Sequence, residues 1–91
     1  MVDDSITLTG YANFCRVTGT PEEVIVDFGL TGQHQGDPAR PVVVTQRVVT
    51  NLYTAKRLVQ VLEMVIERHE AMFGALETDV QRRVRRAAPN P

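Results

Sequence analysis

The chain holds one cysteine, Cys15, and two histidines, His34 and His69, so a thiol–imidazole couple is the simplest nucleophilic chemistry its residues could support. Cys15 falls in the middle of an aromatic and β-branched run, where a buried structural thiol is the usual state. A single cysteine also excludes an internal disulfide and a cysteine-based metal framework. Glu63, Glu67 and Glu70 recur at helical spacing and would share one face of a helix. A helical di-metal site needs Glu-x-x-His pairs from several helices, so the expectation is a solvated polar stripe, with no metal. The six glycines (Gly10, Gly19, Gly29, Gly32, Gly36, Gly74) never form G-x-G-x-x-G or a Walker pattern. The residues therefore point away from enzyme chemistry: no catalytic, cofactor-binding or metal set, and no cofactor.

Two features suit binding instead. Arg82, Arg83, Arg85 and Arg86 cluster near the C-terminus, the kind of cation group that meets phosphates or an acidic partner. No aromatic residue is interleaved to stack on bases, and four arginines on a terminal helix are more often a solvated face, so nucleic acid ranks as the weaker reading. A gel shift against a chain truncated after Thr78, run at several salt concentrations, would separate the two. His69 falls within a long apolar stripe, as a buried or interfacial imidazole with its hydrogen bond satisfied; a pH-sensitive interface is the sharper alternative.

The elements that must position these residues follow from composition and pattern. Ninety-one residues make one domain, with 43% hydrophobic and 23% charged residues. The net charge of −1 commits the molecule to neither nucleic acid nor membrane. The acidic start MVDDSITLTG does not match a signal peptide, and no apolar run approaches a membrane span. With the lone cysteine, this suggests a soluble, cytoplasmic protein. Residues 1–40 carry Asp3, Asp4, Glu22, Glu23, Asp27 and Asp37 against Arg16 and Arg40, so an acidic front faces a basic tail.

Residues 1–10 read as an acidic arm, in which Ile6 to Thr9 alternates enough to add an edge strand if something pairs with it. Tyr11 to Thr18 is strand-like, bounded by Gly10 and Gly19. Thr20-Pro21-Glu22-Glu23 has the form of a helix start, but the β-branched run VIVDFGL follows it, so it is expected to close a hairpin in one tight turn. Residues 31–40 form an exposed loop. Pro41 opens a third strand, in which Val42, Val44, Gln46 and Val48 would share one face and Val43, Thr45, Arg47 and Val49 the other.

The long helix runs from an N-cap at Asn51, or Thr50, to a stop at Gly74. Lys56, Gln60, Glu63, Glu67 and Glu70 form a narrow polar stripe. Opposite them, an apolar arc of roughly 160° is wider than one packed surface needs. It implies contact with two surfaces, the chain's own sheet and a partner's. Leu58, Leu62, Val65, Ile66, His69, Met72 and Phe73 are the candidate interface. Thr78 could cap a short basic tail helix.

Tyr11-Ala12-Asn13, the Pro21-Glu22-Glu23-Val24 turn with Asp27-Phe28, Ala55-Lys56-Arg57-Leu58 and His69-Glu70 through Gly74 resemble a small bacterial and archaeal family filed as domain of unknown function 3467. The likeness covers about residues 11–77. Members often carry Ser-Pro where this chain has Asn51-Leu52, which implies an N-cap there. They carry His or Tyr at position 69, which implies packing and not proton transfer. The family implies no activity. A fainter, purely topological likeness is to the tetrameric export chaperone SecB, whose strands also precede a long helix.

The expectation is thus an α+β protein: a three-stranded antiparallel meander, with room for a fourth strand from the arm, then one long C-terminal helix and a short basic tail helix. Residues 1–10 form the arm, 11–77 a βββα domain and 78–91 the tail. The chain would form a homodimer or higher oligomer and act by binding or scaffolding, with itself and another protein as partners. Nucleic-acid association and a SecB-like holdase are the alternatives. Uptake of an unfolded apolar client, competed by a hydrophobic dye, would mark the holdase.

Overall fold

In the computed structural model, residues 1–32, 41–79 and 82 are described, and the element order is three strands followed by one helix. Strands β1 (Phe14–Gly19), β2 (Glu23–Leu30) and β3 (Val43–Asn51) form an antiparallel sheet in the order β1-β2-β3. Helix α1 spans Leu52–Phe73. The chain divides into two units, Met1–Ala55 and Lys56–Pro91. The basic stretch expected to be a tail helix lies, except for Arg82, outside the described residues beyond Asp79, as does most of the loop expected at 31–40.

The β1–β2 connection is the tight turn that its sequence suggests. Thr20 N donates to Glu23 O at 2.9 Å, leaving Pro21 and Glu22 at the tip. Pro21 presets the backbone for the bend. The Thr20 hydroxyl accepts from Glu23 N at 2.9 Å and Glu22 N at 3.3 Å, so the residue that resembles a helix N-cap caps a hairpin instead. The β-branched residues that follow favour a strand over a helix.

β1 begins at Phe14, not at Tyr11. The preceding Asn13 is used otherwise: its Oδ1 accepts from Thr31 N at 2.8 Å and its Nδ2 lies 3.4 Å from Thr31 O. This side-chain clasp ties the chain ahead of β1 to the chain that leaves β2. The arm adds no strand; Ile6 and Leu8 are exposed, and the local order there is an Asp3 side chain accepting from Ser5 N.

β3 also starts later than Pro41, and it holds a register shift that alternation in the sequence does not reveal. Phe28 pairs with Gln46 but Gly29 pairs with Val44, so Thr45 is the extra residue of a bulge. The shift reverses the faces of the residues before it. Val44 joins Gly29 and Arg47 on one face, whereas uninterrupted alternation would have set it with Gln46 and Val48. Gly29 is what permits the close approach. A Cβ on it would collide with the Val43 carbonyl oxygen and stand 3.2 Å from Val44 Cα.

β3 passes into α1 with no linker. Asn51 is both the last strand residue and the N-cap, its Oδ1 accepting from Thr54 N at 2.7 Å. At the other end Gly74 adopts φ 92°, the left-handed conformation that stops helices, and its N–H bonds Glu70 O at 2.8 Å. The Glu70 carboxylate then accepts from Leu76 N at 2.7 Å, so this member of the polar stripe secures the chain just beyond the helix.

Neither unit encloses an apolar core formed by its described residues. Among the described residues no hydrophobic side chain is buried; the buried charged residue is Asp27. α1 has no buried residue along its length.

Candidate functional site

Asp27 lies at the centre of β2, and its neighbours across both strands are arginines. The register places Arg16 opposite it on β1 and Arg47 opposite it on β3. Directly opposite residues project to the same face, so the three side chains form a row across the sheet. Arg16 donates to Asp27 Oδ2 from Nη2 at 2.7 Å and from Nε at 3.1 Å. Arg47 donates from Nε to Oδ1 at 2.6 Å and from Nη2 to Oδ2 at 3.3 Å.

The Asp27 side chain is almost wholly covered, at 2% exposure, whereas the Arg16 and Arg47 side chains remain 53% and 59% exposed. Hydrogen bonds from Arg47, then from Arg16, hold the Asp27 carboxyl down to about 2, against some opposition from desolvation. The same pairing raises Arg47 above its ordinary value. A carboxylate with four N–H donors on its two oxygens is a poor base and a poor nucleophile at neutral pH. Its work is mechanical: it clamps the three strands in one register. The row carries one net positive charge, and the exposed parts of both guanidiniums can receive an anionic group.

The residues singled out from the sequence are placed as follows. Leu58, Leu62, Val65 and Ile66 lie on α1 with roughly half of each exposed, and Met72 and Phe73 are more exposed still. His69 is exposed within the chain, not buried; its ring lies 4.8 Å from that of Phe73 at a 42° tilt. Cys15 is exposed on β1, so the expectation of a buried thiol does not hold. Arg82 is exposed and its Nη1 stands 4.0 Å from Glu77 Oε2. Arg83, Arg85, Arg86 and His34 lie outside the described residues.

The sequence counts Arg16 and Asp27 among the charges of its first half and sets Arg47 on one face of the third strand, but nothing in it joins the three. Half of the signal was present. Once the turn sets Thr20 against Glu23, counting back along both strands pairs Arg16 with Asp27. The Arg47 half was hidden, because a long loop and a bulge separate β2 from the register of β3.

A three-stranded antiparallel sheet followed directly by a capped helix, with a charge clamp across the strands, defines a small α+β module. The chain belongs to the family described as a protein of unknown function, DUF3467, whose model matches residues 1–78. That match takes in the arm as well as the strands and α1. No curated protein and no solved structure matches the chain.

Among the described residues, no helix is long and apolar enough to cross a membrane.

Proposed function

We propose that this protein is a non-enzymatic, homo-oligomeric module that acts by binding or scaffolding. The observation that carries the reading is the absence of any buried hydrophobic side chain among the described residues, in a chain rich in large aliphatics. Burial of apolar area is the main favourable term in folding. Covering a large aliphatic is worth about 1.5–3 kcal/mol, and a small domain's whole margin is about 5–15 kcal/mol. Leu58, Leu62, Val65, Ile66, Met72 and Phe73, spread over an arc wider than one surface requires, are the side chains a second copy would cover.

The arrangement of polar groups supports the non-enzymatic half of the reading. Asp27, the strongly shifted carboxylate, has its oxygens taken up by Arg16 and Arg47. Perturbed groups in active sites are poised for proton transfer, and this one is poised to stay ionised.

Light scattering behind a sizing column tests the proposal. The expected result is a mass of at least twice 10.2 kDa that holds on dilution into the low micromolar range. A stable monomer with a cooperative melt would refute it.

A further inference from the structure

Self-association through the apolar arc of α1 lacks direction, because burial of apolar area specifies no register. We infer that two copies meet edge to edge along β3, antiparallel about Val48, so that their sheets join into one; the inference rests on the self-association proposed above and names where the copies meet.

The argument starts from which backbone groups β3 leaves unpaired. Thr20 N bonds Glu23 O, and the pleat alternates from there, so the odd-numbered residues of β2 bond β1 and the even-numbered ones bond β3. On β3, Gln46, Val48 and Thr50 therefore bond β2, while Arg47 and Val49 turn their N–H and C=O outward. β3 is an edge strand of nine residues, exposed along its length except at Thr50.

Edges of this kind are ordinarily guarded by lysine, proline or a covering element. β3 has no lysine and no proline; its bulge at Thr45 guards only one end and α1 closes the other. The other edge, β1, is six residues long and ends on Gly19, which offers no side chain.

An unpaired strand edge is self-complementary in the sense an isologous dimer needs. Outward groups must face outward groups, which leaves two-fold centres at Arg47, Val48 or Val49. A centre at Arg47 sets two arginines opposite each other. A centre at Val49 drives Gln46 against the first residue of the other copy's helix. A centre at Val48 pairs Arg47 with Val49 of the second copy and Gln46 with its Thr50.

That register also continues a pattern already present within one chain. Val17 pairs with Val26 and Val26 with Val48, so joining two copies at Val48 extends this row into an unbroken line of valines across six strands.

The test uses disulfide trapping of the full chain in a Cys15→Ser background, with diamide as the oxidant. Val48→Cys is expected to cross-link at least on the order of tenfold faster than Val17→Cys on the opposite edge, because the two thiols would meet at the effective concentration of a formed complex. Val49→Pro is the second variant, since it removes an outward N–H without removing a bond to β2. It is expected to weaken association at least tenfold while leaving the far-ultraviolet circular dichroism of the strands and helix in place.

An oligomer in which Val48→Cys reacts no faster than Val17→Cys, or in which Val49→Pro associates as tightly as the parent, overturns the edge pairing and leaves self-association standing. A chain that stays monomeric at every concentration overturns both.

Discussion

Gly29→Ala tests whether the bulge is a built part of the sheet. The added methyl would collide with the Val43 carbonyl oxygen and stand 3.1 Å from Val43 C and 3.2 Å from Val44 Cα. All three atoms are backbone, so no side chain can rotate out of the way; β3 itself must move. Overpacking a well-fitted site costs about 1–3 kcal/mol. In a domain of 60–100 residues each kcal/mol lowers the melting temperature by about 4–8 °C, so the variant should melt roughly 5–20 °C below the parent.

The control is Gly19→Ala, where a Cβ meets nothing within 4 Å. It should be neutral or slightly stabilising, because a more restricted unfolded chain loses less entropy. Thermal denaturation followed by circular dichroism measures both, at matched protein concentration because any self-association shifts the midpoint. If Gly29→Ala melts with Gly19→Ala, the close approach of β2 to β3 is not a constraint and the account of the bulge is wrong.

Three further outcomes are expected. Asp27, held near 2 against an ordinary value of 3.8, contributes stability that is present above about pH 4 and is lost as pH falls through the folded-state value. Denaturant midpoints measured between pH 5 and 2 should therefore fall more steeply for the parent than for Asp27→Asn, and parallel profiles would contradict the clamp. Asn51→Ala removes the acceptor for Thr54 N and should cost about 1 kcal/mol, read as a lower denaturant midpoint with an unchanged slope. Ile66→Lys places a charge in the apolar arc of α1 and should weaken self-association at least tenfold by sedimentation, since one covered aliphatic is worth about 1.5–3 kcal/mol and about 1.4 kcal/mol is a factor of ten. An unchanged dissociation constant would remove Ile66 from the interface.

Much of the architecture was determined locally, and local signals suffice for it. Asn51 and Gly74 delimit α1 because a side-chain acceptor and a left-handed residue are what helix ends require of their own sequence neighbourhood. The Thr20 turn is equally local, and it carries the β1–β2 register with it. The apolar arc of α1 follows from periodicity alone.

What tertiary structure decided concerns pairs far apart in the chain. Thr45 became a bulge residue because Gly29, sixteen positions earlier, lets β3 approach where any side chain would block it. Asn13 falls outside the strand expected to start at Tyr11: its N–H still reaches Gly29 O, but its side chain is held in a clasp with Thr31, a partner eighteen positions away. Asp27 acquired its second arginine only through the β2–β3 register, across a loop whose residue types carry no register information. Alternation shows which residues can share a face; only pairing across strands decides which of them meet.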